Sequence, residues 1–377
     1  MADSQPASNS DSTKQTPHLR RVLSFWDIYL YGIVAVTPSA PITIFGLAYL
    51  ISGGHAVDTI LIGMVAMVLT AASYGRMASL YPGAGSAFTY VGSGLNPFLG
   101  FLAGWAMLLD YLFIPLFCVI YGTLAVKRLL PEVPYALIAA FFAGAMTFLN
   151  LLGIRSTARA NKTLVAVMST VLIIFIILAI RYLFIGKGWA GLFSIKPFFN
   201  PATFDIKSLA SATSLAAFTY LGFDSITTLA EDVKNPRKNI LLATVFVCLS
   251  IGLFGGFFIY LAQLVWPDYN SFTNIETAFF DVARKVGGNF LFQGVGILLL
   301  LANVGAGLTS QVGAARLLFG MGRDNVLPRK IFAYLSPKRN TPSYNIWIIG
   351  LIAYFGSLIM TYDGILQLYF KGRDILS

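Results

Sequence analysis

The sequence predicts an all-α polytopic membrane protein arranged as an inverted repeat. Its composition gives the class, since 57% of the residues are hydrophobic and only 11% are charged, with a mean hydropathy of +0.74. Apolar stretches of about 20 residues, each long enough to cross a bilayer as a helix, recur along the chain. Two of these stretches are interrupted and stand five spans apart, so they cross the membrane in opposite directions. They are therefore expected to be equivalent first helices of two inverted halves.

Nine transmembrane helices are expected along the chain. The polar, glycine-rich stretch 82–96 is too hydrophilic for a span and is expected to be a re-entrant or interfacial connection. The stretch 275–286 has the pattern of a short amphipathic surface helix. The predicted bounds of the spans are 26–51, 59–81, 97–124, 134–153, 163–185, 208–230, 240–266, 290–320 and 343–361.

These spans form one membrane domain between two short tails. The domain is expected over 23–366, with a first repeat at about 24–185 and a partial second repeat at about 208–361. Residues 1–22 are polar and Ser-rich, which predicts a disordered tail. Residues 367–377 form the expected C-terminal tail.

The net charge of +10 comes from basic residues scattered among the loops, so it does not indicate nucleic-acid binding. Most of them fall on the side of the N-terminus, which the positive-inside tendency places in the cytoplasm. We expect a multi-pass protein of the cell membrane, in contact with the lipid bilayer and with no nucleic acid. Cys118 and Cys248 lie in apolar spans and imply packing rather than a disulfide, and we expect no metal and no cofactor.

The two interruptions are chemically distinct. In the first span, Pro38 and Pro41 break the helix because they remove backbone donors and clash with the preceding turn. In the sixth span, Gly222 stands where a helix can open with little steric cost, two residues before Asp224. An ionised carboxylate near the bilayer centre costs about 3 kcal/mol, so Asp224 marks a functional site. Inverted-repeat transporters bind substrate between two such helices near the midplane.

Of the 16 acidic residues, Asp110 and Asp224 are the two that lie deep within predicted spans. Both are natural partners for a cation. The alternatives are a structural hydrogen bond for Asp110 and a cap on the second half-helix for Asp224. Tyr111, Tyr220 and Phe223 lie beside them, and aromatic faces attract ammonium groups, although packing is the alternative for each.

Other polar and small residues of the spans are assigned to contacts between helices. Asn303 and Gln311 in the eighth span are expected to hydrogen-bond to neighbouring helices. Gly252 and Gly256 form a small-xxx-small pair in the seventh span, which predicts close packing against another helix.

Several runs of sequence resemble the amino acid-polyamine-organocation (APC) permeases. FTYLGFD at 218–224, followed by AEDVKNPR at 230–237, resembles the sixth-helix signature of these proteins. ARLL at 315–318, leading into MGRDNVLP at 321–328, resembles the motif at the end of their eighth helix.

Within that superfamily, two further runs look closest to bacterial putrescine importers. They are YPGAGSAFTY at 81–90 and LDYLFIP at 109–115. The likeness covers about 23–366 and rests on independent motifs in order. It implies a LeuT-type fold and secondary active transport coupled to an ion gradient, for which we expect a proton. Some relatives use a lysine of helix five for this coupling, and the fifth span here has none, which leaves the mechanism open.

The first interruption bears on the substrate. Amino acid carriers of this superfamily hold the substrate carboxylate on free N–H groups of a Gly-rich break, whereas Pro38 and Pro41 have none. A site with two buried acids suits a small organic amine such as putrescine, or a polyamine, better than a zwitterion. We therefore expect a symporter that imports such an amine by alternating access. The residues expected to contact the substrate are Thr37, Ser39, Ala40, Asp110, Tyr111, Tyr220, Gly222, Phe223 and Asp224.

Three alternatives stay open. The first is an amino acid permease with a zwitterionic substrate. The second is an inactive, C-terminally truncated permease, because the fold needs ten helices and the sequence provides nine. The third is an intramembrane aspartyl protease, although the pairing of Tyr-Asp with Gly-x-Gly-Asp fits poorly and no other hydrolase motif is present. We expect a transporter and not an enzyme.

Overall fold

The computed structural model describes the backbone of residues 21–374 and their side chains, except those of residues 128–129, 187 and 362–374. The expected N-terminal tail lies outside the described residues apart from Arg21 and Val22, as do residues 375–377 of the expected C-terminal tail. The described chain is almost entirely helical. Within it, a single isolated β-bridge joins Leu23 to Val233.

Twelve α-helices follow one another along the described chain. Short 3₁₀ segments stand at Gly188–Gly191, Ala217–Tyr220, Phe223–Leu229 and Ile275–Thr277. The α-helices are α1 (Phe25–Val36), α2 (Ala40–Ile51), α3 (Ala56–Leu80), α4 (Ala87–Gly94), α5 (Pro97–Leu129), α6 (Tyr135–Leu151), α7 (Ile154–Lys187), α8 (Ile206–Ala216), α9 (Pro236–Val265), α10 (Ala278–Arg323), α11 (Arg329–Phe332) and α12 (Ser343–Asp374).

Six of these helices are long and apolar enough to cross a membrane, and the bent pair α1–α2 adds a seventh span. Helix α6 is apolar but has only 17 residues. The expected sixth span is divided between α8 and two 3₁₀ segments, each shorter than a membrane span. The expected count of nine spans therefore stays a prediction. Helix α7 begins well before the expected residue 163, and α12 continues past the expected domain boundary at 366.

The glycine-rich connection at 82–96 contains the short helix α4. This helix packs along the start of α5, because Gly100 has no side chain where α5 meets Gly92: a Cβ there would lie 2.5 Å from the Gly92 Cα. The amphipathic helix expected at 275–286 is also present, as the first part of α10. Gly287 and Gly288 leave helical geometry and separate it from the apolar span.

The two expected halves are interleaved in space. Helix α3 packs along α9, and α5 packs along α10, so each helix lies beside its counterpart from the other half. Gly252 faces Met64 on α3, and a Cβ on Gly256 would lie 3.0 Å from a Leu61 methyl. This confirms the expected packing role of the Gly252 and Gly256 pair.

Polar side chains tie the eighth span to its neighbours, as expected. Gln311 Nε2 donates to Thr147 Oγ1 at 2.9 Å, and Asn150 Nδ2 donates to Gln311 Oε1 at 2.8 Å. Asn303 Nδ2 donates to the Cys118 carbonyl at 2.8 Å. Buried amides that are satisfied in this way fix the register of the helices around the centre of the protein.

Candidate functional site

The first break separates α1 from α2, whose axes differ by 42°. Thr37 takes a positive φ of 66°, which a β-branched residue adopts only where its surroundings force it. Its amide still donates to the Ile33 carbonyl at 3.0 Å, which ends α1. Ser39 is fully buried, and Thr37 and Ala40 are half-buried. The break therefore leaves three residues of non-helical backbone inside the bundle.

The second break lies between the 3₁₀ segments Ala217–Tyr220 and Phe223–Leu229. Gly222 stands there with φ 101°, a left-handed conformation that glycine adopts without steric cost. The Gly222 carbonyl accepts both from the Ser225 amide at 3.1 Å and from the Ser225 hydroxyl at 2.6 Å, which begins the 3₁₀ segment after the break. The position of this break agrees with the sequence prediction.

The second break touches the end of α1. A Cβ added to Gly222 would lie 2.9 Å from the Ala35 carbonyl oxygen and 3.5 Å from the Val36 amide nitrogen. A side chain at position 222 would thus separate the end of α1 from the second break. Glycine is required here both by its φ and by this close approach.

Asp224 follows the second break directly and is half-buried. The Tyr111 hydroxyl on α5 donates to Asp224 Oδ2 at 2.5 Å. Among the described side chains, this hydroxyl is the one hydrogen-bond partner of the carboxylate, and no cation forms an ion pair with it. The second carboxylate oxygen therefore remains able to accept a hydrogen bond from a ligand.

Asp110 does not join this pair, although it precedes Tyr111 in the sequence. Successive residues of an α-helix point about 100° apart, so both cannot face Asp224. Tyr111 is fully buried, whereas Asp110 is exposed on the surface of α5. The expectation of two buried acids is wrong for Asp110, because α5 turns Tyr111 inward and leaves its neighbour outside.

Tyr220 and Phe223 are both directed towards α3. The Tyr220 hydroxyl donates to the Ile60 carbonyl at 2.8 Å, and its side chain is fully buried. The Phe223 ring meets the Tyr74 ring edge to face, with centroids 5.6 Å apart. Both aromatic residues pack the second break against α3, which was the alternative reading of each.

Beyond the breaks, two ion pairs close one end of the bundle. We call this end the N-terminal face, because α1 begins there. Arg316 Nε and Asp232 Oδ2 lie 2.7 Å apart with both side chains buried. Arg323 Nη1 lies 2.6 Å from Glu231 Oε1, which also accepts from the Ala84 amide at 3.0 Å. These contacts join α10, the connection before α4, and the end of the second interrupted span.

The start of the described chain is tied to the same place. The amides of Val22 and Leu23 donate to the Asp232 carbonyl at 2.8 and 2.9 Å, and the Lys234 amide donates to the Leu23 carbonyl at 2.9 Å. We call residues 22–23 with Glu231, Asp232, Arg316 and Arg323 the N-terminal latch.

In the sequence, these charged residues stand within the family-like motifs at 230–237, 315–318 and 321–328. A signal for their pairing was present in the sequence. Glu231 and Asp232 end the sixth span, while Arg316 and Arg323 stand in the last turns of the eighth. Since spans six and eight run in the same direction, their ends meet at one membrane face, where opposite charges attract.

Comparison with known proteins gives the family. A family model described as amino acid permease matches residues 39–369. The chain belongs to the amino acid permease family. It is 32% identical to the low-affinity putrescine importer PlaP of Escherichia coli (strain K12), over 89% of this chain and 74% of that protein. It is 25% identical to the branched-chain amino acid permease BcaP of Bacillus subtilis (strain 168), over 92% of this chain and 77% of that protein. The expected membership of the APC superfamily is confirmed.

Solved structures give the fold. MhsT in complex with L-phenylalanine matches with a TM-score of 0.58 at 15% identity, over 90% of this chain and 79% of that one. Mhp1, a nucleobase-cation-symport-1 family transporter, matches with a TM-score of 0.55 at 12% identity, over 92% of this chain and 74% of that one. Both have the LeuT-type fold, which confirms the expected all-α inverted repeat. The permease family and this fold are those of multi-pass membrane transporters.

Proposed function

We propose that the protein imports putrescine or a similar small organic amine across the cell membrane, by alternating access at the two helix breaks. The observation that carries the proposal is Asp224, a carboxylate at the second break whose one described side-chain partner is the neutral hydroxyl of Tyr111. A carboxylate in a helical bundle without a paired cation gains most from a cationic ligand. The similarity to PlaP, a putrescine importer, supports the same substrate class.

The backbone of the first break supports an amine over a zwitterion. Pro38 and Pro41 have no N–H group. The amides of Ala40 and Ile42 donate to the carbonyls of Thr37 and Ser39, at 3.1 and 2.9 Å. Within residues 38–42, only the amide at position 39 is left to bind an anion. A substrate carboxylate would find few donors here, whereas an ammonium group finds backbone carbonyls and Asp224.

Asp110 has a secondary role in this proposal. Its carboxylate lies on the outer surface of α5, one residue from Tyr111, so it acts on the second ammonium group of a diamine only through its long-range field. Asp224 is the anchor, meaning the main binding group for an ammonium group. Its surroundings are less hydrated than those of Asp110, and a charge-assisted hydrogen bond is stronger there.

We propose that the N-terminal face is the cytoplasmic one. With the N-terminus in the cytoplasm, the N-terminal latch closes the inner end of the bundle, and the substrate reaches the breaks from outside. Release into the cytoplasm then requires the latch to open. We propose a proton as the coupling ion.

The test is uptake of labelled putrescine into cells that lack their own importers, with the wild-type chain, Asp224→Asn and Glu276→Gln. Glu276 is an exposed acid outside both breaks, so its change to the amide is a matched control. We expect saturable uptake whose apparent affinity falls by about 10-fold or more in Asp224→Asn and is unchanged in Glu276→Gln. Spermidine should compete, whereas leucine and glutamate should not.

Competition by leucine but not by spermidine would overturn the amine proposal in favour of a zwitterionic substrate, the class named for BcaP. Equal uptake by Asp224→Asn and the wild type would overturn the role of Asp224. Uptake into proteoliposomes under an imposed pH gradient, compared with a sodium gradient, tests the coupling ion, and a response to sodium alone would contradict the proton.

A further inference from the structure

A cavity lies on the N-terminal face, away from the helix breaks. It has a volume of about 240 Å³ and occupies the corner where α6 turns into α7, beside the loop at 336–341 that precedes α12. Three basic side chains line it: Arg155 from the first turn of α7, and Lys338 and Arg339 from the loop. The cavity therefore collects cations from two segments that are far apart in the sequence.

Its acidic lining does not balance these charges. Asp232 is the one acid among the lining residues, and its Oδ2 is already 2.7 Å from Arg316 Nε. Arg339 uses Nη1 to donate to the Leu151 carbonyl at 2.8 Å, which fixes its guanidinium at the rim and leaves its other N–H groups available. Two or more positive charges thus face the cavity without a described counter-ion.

The backbone adds N–H donors, which also favour an anion. Helix α7 is 34 residues long and begins at Ile154, within the cavity lining. The amides of Ser156 and Thr157 donate to the Gly153 carbonyl. The amides of Ile154 and Arg155 have no acceptor carbonyl four positions back in the helix, as at every helix N-terminus. The positive end of the helix dipole adds to the field of the three cations.

We infer that this cavity binds a phosphate group. A tetrahedral anion with three or four acceptor oxygens matches three cationic side chains and the first-turn amides, and guanidinium binds phosphate with two parallel hydrogen bonds. The volume admits the phosphate group together with part of its ester. The group is supplied either by the headgroup of an anionic phospholipid, since the cavity lies at a membrane face, or by a soluble phosphate ester.

General surface charge is the competing explanation for any binding of phosphate, because other loops on this face are also basic. Arg237 and Lys238 are a matched pair for separating the two, as both are exposed on the same face, outside the cavity. The pocket variant is Arg155→Gln with Lys338→Gln, and the control variant is Arg237→Gln with Lys238→Gln. Each variant removes two positive charges, and Arg339 with its structural hydrogen bond is left intact in both.

The full chain, purified in a neutral detergent, is titrated with inorganic phosphate at constant ionic strength while its melting temperature is followed. Lipid binding is measured in phosphatidylcholine nanodiscs with and without phosphatidylglycerol, by native mass spectrometry of the retained lipid. We expect the pocket variant to bind the phosphate-containing probe about 10-fold more weakly than the wild type, and the control variant to stay within about 2-fold of it.

Retention of phosphatidylglycerol without a response to inorganic phosphate supports the site and identifies lipid as its source. A response to inorganic phosphate alone supports the site and identifies a soluble ligand. Equal weakening in the pocket and control variants would overturn the inference, as would the absence of a response to both probes in the wild type. These measurements do not depend on transport, so the outcome is independent of the proposed function.

Discussion

Asp224 and Asp232 stand eight residues apart at the two ends of one short segment, yet they have opposite surroundings. Asp232 is buried against the guanidinium of Arg316 at 2.7 Å. Asp224 is half-buried, and its described side-chain partner is the hydroxyl of Tyr111. The first carboxylate is neutralised inside the protein, whereas the second is not.

This difference separates an acid that holds the structure from an acid that is available to a ligand. Breaking a buried ion pair leaves a charge without a partner, and the desolvation of that charge is not compensated. Replacing a carboxylate that bonds only to a hydroxyl leaves no such charge behind. The two aspartates should therefore respond oppositely when stability and transport are measured side by side.

The largest expected effect is on stability at the N-terminal latch. Asp232→Ala leaves Arg316 buried without a counter-ion, which should lower the free energy of unfolding by about 3–5 kcal/mol. The measurement is the melting temperature and the monodisperse yield of the purified protein in detergent. Asp232→Leu combined with Arg316→Met removes both charges and should recover most of the loss. If the double variant is no more stable than Asp232→Ala, the pair does not act through its charges.

The next largest effect is on transport, and it distinguishes Asp224 from Asp110. Asp224→Asn should weaken apparent putrescine affinity by roughly 10- to 150-fold, because a charge-assisted hydrogen bond of about 1.5–3 kcal/mol is lost. Asp110→Asn should weaken it by at most about 5-fold, since the contribution of an exposed charge is about 1 kcal/mol or less. Both variants should melt close to the wild type. Equal losses of affinity would contradict the assignment of Asp224 as the anchor.

The smallest effect concerns the partner of Asp224. Tyr111→Phe keeps the buried ring and removes only the hydroxyl that donates to Asp224 Oδ2. The carboxylate then loses its orientation, and apparent putrescine affinity should fall by about 2- to 13-fold, corresponding to about 0.5–1.5 kcal/mol. Tyr220→Phe is the matched control, because its hydroxyl bonds to the Ile60 carbonyl instead. An unchanged affinity in Tyr111→Phe, or an equal loss in Tyr220→Phe, would contradict this role of the Tyr111 hydroxyl.

Local sequence signals predicted the breaks but not the orientation of the side chains beside them. Pro38 and Gly222 act on their own backbone, so the position of each break can be predicted from the residue itself. The direction in which Asp110 points depends on the rotation of α5 about its axis. Packing against α10 and α4 fixes that rotation. An acid inside an apolar span therefore predicted burial within the bundle, which the structure shows in part for Asp224 and not for Asp110.

The sequence by itself determined the class of protein, the two interruptions and the family. Each of these rests on composition, on spacing along the chain or on the local chemistry of proline and glycine. Only the tertiary structure decided that Tyr111 rather than Asp110 meets Asp224, that Asp232 is neutralised by Arg316, and that Arg155 shares a cavity with Lys338. These contacts join residues distant in the chain, and a charge inside a protein takes its role from the partner that folding places beside it.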